Sequence, residues 1–195
     1  MLWARSVLGG IFYLAIYFAF VRRRHVQVLH PRSWLGEARS FRPSQGFLKK
    51  FAILSGILAL FYIFIPIINE FAEAVMGTPS VAPGSANPTA VLASISPLVL
   101  LFLSTTLPIF EEWFFRHVLI DSTRKRLGIT GSLIFSSVLF SFAHLFNEGS
   151  NLPMFFVPFF AGLVLGAVFL KWGLKGSIFV HSSNNFLRTI LWMVG

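Results

Sequence analysis

Nine ionisable or amide side chains lie inside otherwise apolar runs of this chain: Glu111, Glu112, Arg116, His117, His144, His181, Asn184, Asn185 and Arg188. An ionised carboxylate in hydrocarbon costs several kcal/mol unless it is paired or faces a wet cavity. The adjacent acids Glu111 and Glu112, set in a run of Val, Leu, Ile and Phe from about Ala90 to Ile120, therefore mark a functional site. Glu112 and Arg116 are four positions apart and share a helical face, so they can pair, whereas Glu111 is rotated about 100 degrees away and is left as a free carboxylate. The plainer alternative is that both acids pair with Arg116 and only hold helices together. His181 and Asn185 are also four apart, with Asn184 beside them and Arg188 two turns along the same face. Phe140 precedes His144 by four, so its ring can pack beside the imidazole and fix it. His117 falls off the main face, toward the inner interface. Arg188 is close enough to the outer end to snorkel, the preferred reading; in the sharper one Arg188 and Asn184 contact the substrate, Arg188 through a carboxylate.

A carboxylate, two imidazoles and an amide are the parts needed to hydrolyse a peptide bond without a covalent intermediate. A Glu activates water, a His shares the proton, and His with Asn donates hydrogen bonds to the tetrahedral oxyanion. Glu111, His144 and His181 could equally hold zinc, with one position open to water. Residue types and spacing leave both chemistries open.

The elements that position these groups are apolar runs of membrane-spanning length. The expected spans are 3–21, 51–68, about 90–120 with bends at Pro97 and Pro108, 129–146, 154–170 and 177–194. Between them, Lys and Arg number eight in 22–50, three at Arg124-Lys125-Arg126 and two at Lys171 and Lys175, and the loops 69–88 and 147–153 have none. This alternation predicts an all-α, polytopic helix bundle of about six transmembrane helices with both termini outside. The chain reads as one integral membrane domain over 1–195, with the chemistry in 90–190 behind two preceding helices. Residues 22–50, with Trp34, Leu35, Phe41 and Phe47 among the bases, read either as a segment lying on anionic lipid or as a solvated loop.

Composition agrees. Hydrophobic residues make up 55% and charged ones 12% of the 195 residues, about half the charged share of a soluble domain. The absence of cysteine excludes a disulfide framework, a thiolate nucleophile and a Cys-based metal site. The net charge of +9 is explained by the inner loops, so no nucleic-acid partner is implied.

Three motifs now stand in order: Glu111-Glu112-Trp113-Phe114-Phe115-Arg116, Phe140-Ser141-Phe142-Ala143-His144 and His181-Ser182-Ser183-Asn184-Asn185. They resemble the Glu-Glu-x-x-x-Arg, Phe-x-x-x-His and His-x-x-x-Asn motifs of the CAAX-protease and bacteriocin-processing (CPBP, or Abi) family of intramembrane endopeptidases. Ala161-Gly162-Leu163-Val164-Leu165-Gly166 ahead of Gly176-Ser177-Ile178 also looks like that family, its two glycines letting a neighbouring helix come close. The resemblance implies that Glu111 is the water-activating base, His144 its partner, and His181 with Asn185 the oxyanion donors. Glu112, Arg116 and Phe140 would support them. It favours a glutamate mechanism with no cofactor over a divalent metal such as zinc on Glu111, His144 and His181. The chain is shorter than is usual for the family, and its first two spans resemble nothing specific.

The expected activity is cleavage of a membrane-associated protein or peptide, either CAAX-like or in a C-terminal sorting signal or precursor, in the cytoplasmic membrane of a prokaryote. The substrate and the bilayer are the expected partners; the oligomeric state is not read from these residues. The rival readings are a proton-coupled transporter using the same Glu and His residues, and a silent immunity or scaffold protein. One geometric tension accompanies the enzyme reading. Counted from the expected helix ends at about 1.5 Å per residue, Glu111, His144 and His181 lie roughly 15, 22 and 6 Å from the inner face, so they do not level.

Overall fold

A chain this apolar has to satisfy its backbone within each segment, and among the described residues every regular element is helical. The computed structural model describes residues 2–21, 45–79, 96–146 and 150–194. In order these form α1 (Leu2–Phe20), α2 (Gln45–Met76), α3 (Pro97–Glu112), a π-helical stretch (Trp113–Ile120), α4 (Asp121–Leu145), a 3-10 turn (Leu152–Phe155) and α5 (Phe156–Val194). Residues 22–44 of the basic segment, 80–95 ahead of α3 and 147–149 of the second outer loop lie outside the described residues.

Helix runs without interruption from Pro97 to Leu145, yet not as one rod. Ser136 Oγ donates to the Phe115 carbonyl and accepts from Arg116 Nη1 at 3.2 Å, although 20 residues of straight helix would hold these groups about 30 Å apart. The chain folds back at Gly128, where φ is 69° and ψ 178°, a conformation that glycine adopts without the clash a Cβ would bring. α5 folds at Gly173 in the same way (φ 74°, ψ −175°). Among the described residues, three helical stretches are long and apolar enough to cross a membrane: Lys49–Met76, Pro97–Leu145 and Leu152–Leu191. The second and third of these are the folded ones.

Helix ends differ from expectation at two places. α2 runs from Gln45 to Met76 instead of 51–68, absorbing Glu70 and Glu73, which were expected in a loop. Glu70, Ala72, Glu73, Ala74 and Met76 are good helix formers, and Asn69 Nδ2 donates to Glu73 Oε1 at 3.0 Å one turn on. At about 48 Å, α2 exceeds the hydrocarbon thickness, so its charged ends can project into water. The second inner turn was expected over Asp121–Arg126, but these residues are helical and the reversal comes at Gly128. A helix end emerging into water carries charge as readily as a loop does, and Arg124 pairs with Asp121 at 3.0 Å along it. Of the expected bends, Pro97 opens α3 and Pro108 lies within it.

Packing centres on the π-helical stretch. Seven of its eight residues are buried, and its aromatic and aliphatic side chains cluster with Phe140, Ala143, Leu174 and Ile178. A second cluster joins Leu54 and Phe61 of α2 to Leu165, Val168 and Val180 of α5. The arm of α4 after Gly128 lies against the arm of α5 before Gly173. A Cβ on Gly162 would stand 3.1 Å from the Ser137 Cα, so glycine is what permits that approach. α1 runs antiparallel to α4, with Phe12 against Phe146 (5.4 Å between centroids) and Phe20 against Phe135 (6.2 Å).

Candidate active site

The acid pair closes α3, immediately before the helix changes from α to π. Glu112 and Arg116 are both fully buried and pair across one turn, Arg116 Nε standing 3.1 Å from Glu112 Oε2. Arg116 Nη1 donates to Ser136 Oγ at 3.2 Å, and the guanidinium lies over the Phe140 ring at 4.6 Å. Its Nη2 is buried without a hydrogen-bond partner among the described residues. The second Glu112 oxygen, Oε1, is 2.9 Å from His181 Nδ1, so one carboxylate joins α5 to the ion pair. A carboxylate paired with arginine is ionised and only accepts, which places the His181 Nδ1 proton on this bond.

The other His181 nitrogen faces the other acid: Nε2 is 3.6 Å from Glu111 Oε2, beyond hydrogen-bond range but within ion-pair contact. Glu111 is not paired with Arg116, and its side chain keeps 26% exposure where Glu112 keeps none. His144 Nδ1 lies 2.8 Å from the Phe140 carbonyl. A carbonyl cannot donate, so Nδ1 carries the proton and Nε2 holds the lone pair in the neutral ring.

Phe140 is the common floor. His144 packs on its ring at 4.5 Å, His181 meets it edge-on at 5.8 Å, and Phe115 meets it at 5.2 Å. The three motifs thus converge on one point. The levelling problem dissolves with the position of the turn: Glu111 stands seventeen residues before Gly128 and His144 sixteen after it, so the two arms bring them to matching depth.

Two cavities meet this cluster from different sides. One, of 280 Å³, lies between α2, α4 and α5 and is lined by Phe140, His144, His181, Asn184, Asn185 and Arg188, with apolar neighbours. Arg188 therefore borders the same space as the histidines. The other, of 440 Å³, lies between α1 and α3 and includes Glu111 beside Tyr17 and Phe110. Asn185 Oδ1 accepts from Asn184 Nδ2 at 3.3 Å, which turns the Asn185 amide nitrogen the other way. His117 is half-buried and is not among the residues lining either cavity. Among the described residues, no group of three His, Asp or Glu side chains is placed to hold a metal ion.

Sequence reasoning missed three residues that hold the cluster. Ser136 bonds Arg116, Tyr62 donates to the Asn184 carbonyl at 3.2 Å, and Ser182 donates to the Thr105 carbonyl at 2.9 Å. A signal existed for the first. Ser132, Ser136, Phe140 and His144 recur every four residues, so the face of α4 that carries the motif continues back through two buried serines.

Helices long and apolar enough to cross a membrane bury an acid–imidazole–guanidinium cluster beside a polar-ended cavity, which is the arrangement of an integral membrane protein with a buried polar site. Residues 92–187, from just before α3 into the second arm of α5, match the family described as type II CAAX prenyl endopeptidase, Rce1-like. Over that segment the chain is similar to this family of CAAX-protease-like membrane endopeptidases. No curated protein and no solved structure matches the chain.

Proposed function

We propose that the chain is an intramembrane endopeptidase in which Glu111 activates the hydrolytic water. The observation that carries this reading is His181 held between two carboxylates, bonded to Glu112 at 2.9 Å and facing Glu111 at 3.6 Å. Glu112 is committed to Arg116 and His181, whereas Glu111 is partly exposed and can accept a proton.

In the proposed step, water loses a proton to Glu111 as its oxygen bonds to the scissile carbonyl carbon. His144, with its Nε2 lone pair turned away from the helix backbone, shares that proton. The carbonyl oxygen becomes an oxyanion that Asn185 and His181 stabilise. With its Nδ1–H donating to Glu112, His181 can donate to the oxyanion from Nε2 only as the doubly protonated imidazolium, and that is the form the proposed step uses, held between the two carboxylates. Collapse of the intermediate breaks the C–N bond, and the proton held by Glu111 and the imidazoles passes to the departing amine. Glu112, Arg116 and Phe140 hold His181 and His144 in place.

A metal-free reaction is part of this proposal. Folding at Gly128 and Gly173 supports six crossings, and the Lys- and Arg-rich turns place the cytoplasmic side and leave both termini outside in this reading; the cytoplasmic membrane of a prokaryote is proposed as the location. The substrate proposed is a membrane-associated protein or peptide cleaved near its C-terminus.

The test is incubation of the detergent-purified protein with prenylated and unprenylated precursor peptides, with mass spectrometry of the products. Glu111→Gln is expected to abolish cleavage, a loss of at least about 10²-fold for removal of a general base, with unchanged thermal unfolding. Normal cleavage by that variant would refute the assignment. Loss of activity in chelator, restored by zinc, would replace the glutamate mechanism with a metal one.

A further inference from the structure

Glycine contacts show how the two folded helices stand side by side. Gly162 faces Ser137 and Gly166 faces Leu133, so the arm of α4 after Gly128 and the arm of α5 before Gly173 run antiparallel in a fixed register. Continued along both arms, that register sets Gly128 beside Lys171 and puts both turns at one end of the bundle. Arg124, Lys125 and Arg126 precede the first turn, Lys171 and Lys175 flank the second, and all five are exposed. The Lys171 ammonium lies over the Trp172 ring at 4.6 Å, and aromatic and basic side chains of this kind collect at a membrane–water interface. At the opposite end, the loops 69–88 and 147–153 have no Lys or Arg. The positive-inside bias makes the glycine turns cytoplasmic.

The 280 Å³ cavity lies toward the other end. Two of its lining residues, His144 and Val157, stand sixteen residues past Gly128 and sixteen before Gly173, a rise of about 24 Å on each arm. His181, eight residues past Gly173, borders the cavity at about 12 Å. A hydrocarbon core about 30 Å thick that begins at the bases has its midplane near 15 Å, so most of the cavity lies beyond it. Between the cavity and the turns the bundle is filled, because Val168, Leu174, Ile178 and Val180 are buried there in the two apolar clusters. On the far side there is little to cross. His144 is the next-to-last residue of α4, and Met154, in the 3-10 turn that leads into α5, is itself part of the cavity wall.

We propose that the site opens to, and is supplied from, the non-cytoplasmic face of the membrane. Its substrate is then a peptide segment that has already been carried across, part of an exported protein or peptide still held by the bilayer. A translocation step precedes cleavage, and the released segment leaves on the outer side. The packing gives the physical reason. A peptide arriving from the cytoplasm has to bring backbone N–H and C=O groups through the apolar filling above the turns, where nothing satisfies them. One arriving from the other face has only the connection between α4 and α5 to pass. The identity of the substrate rests on the endopeptidase reading; the direction in which the cavity faces does not.

The chain has no cysteine, so a single introduced thiol reports its own surroundings. Met154→Cys and Val157→Cys place one in the cavity wall, and Leu127→Cys places one on an exposed residue beside the first glycine turn. Two cavity positions are used so that one can be read if the other variant misfolds. Spheroplasts and inverted membrane vesicles from the same expressing cells are treated with a membrane-impermeant sulfonated maleimide. The protein is then denatured and exposed to a polyethylene-glycol maleimide, whose band shift is lost wherever the first reagent reached the thiol. The expected result is loss of the shift for both cavity variants in spheroplasts only, and for Leu127→Cys in inverted vesicles only. Cavity thiols that react only in inverted vesicles, that react from neither face, or that react from the same face as Leu127→Cys overturn the proposal. Cleavage of precursor peptides by the parent chain in detergent, where sidedness is lost, is scored separately. Cavity thiols reached from outside with no cleavage remove the endopeptidase reading and leave the outward-facing cavity; cleavage with cavity thiols reached only from the cytoplasmic face does the reverse.

Discussion

Replacing Arg116 with Met removes the cation at the centre of the cluster while keeping an unbranched apolar chain over Phe140. In the parent structure the guanidinium bonds fully buried Glu112 at 3.1 Å, bonds Ser136 at 3.2 Å and lies 4.6 Å from the Phe140 centroid. Its loss leaves the Glu112 carboxylate with no exposed surface and only the uncharged Ser177 hydroxyl and His181 to bond. Breaking a buried pair from one side costs about 3–5 kcal/mol, most of it from the charge left behind. For a chain of this size each kcal/mol lowers the unfolding midpoint by about 2–4 °C, so Arg116→Met is expected to lose roughly 6–20 °C. Thermal unfolding in detergent, followed by tryptophan fluorescence, measures it, since Trp113 sits in the same core. The double variant Glu112→Gln, Arg116→Met removes both charges and retains an amide for His181, and it should recover more than half of the loss. If the single variant unfolds within about 2 °C of the parent, or the double is no better than the single, the view of Arg116 as the neutraliser of a buried Glu112 is wrong.

Two further outcomes follow from contacts that the motifs do not contain. Ser136→Ala should cost about 1–2 kcal/mol in the same unfolding assay, because it strips a hydrogen bond from both Arg116 Nη1 and the Phe115 carbonyl. Gly162→Ala should cost about 1–3 kcal/mol, since the new Cβ would stand 3.1 Å from backbone of α4 and the two helices must part. Gly10→Ala, with open space around its Cβ, is the control and should leave unfolding unchanged.

The helical class and the partners on each short motif were legible because they depend only on composition and on the four-residue repeat of a helix face. Glu112 meets Arg116, and Phe140 packs against His144, where the spacing puts them. The extent of the helices was not legible. Asp121-Ser122-Thr123-Arg124-Lys125-Arg126 carries the charge of a loop, yet charge marks only where the chain leaves hydrocarbon, and a helix can do that without ending. Ending the third span at Ile120, eight residues before the reversal, put Glu111 and His144 at different depths; Gly128 is the signal that would have corrected it. Nor does local spacing reveal contacts between helices. The division of the acids into a paired and an open one holds, but Glu112 also fixes His181, a bond across 69 positions that no periodicity announces. The π-helical geometry of Trp113–Ile120 has no residue pattern that we can identify as its cause.

The near-equal arms on either side of Gly128 bear on how this chain can change length. A residue added at the turn itself displaces neither Glu111 nor His144 from the other, because both arms are anchored to each other along their length through Ser136. One added or deleted between Ser136 and His144, or between Glu111 and Phe115, shifts one motif past its partner by about 1.5 Å and rotates it by about 100 degrees, swapping a polar face for a lipid-facing one. Insertions and deletions in descendants of this sequence should therefore collect at the turns, and the arms between motif and anchor should vary in residue type but not in length.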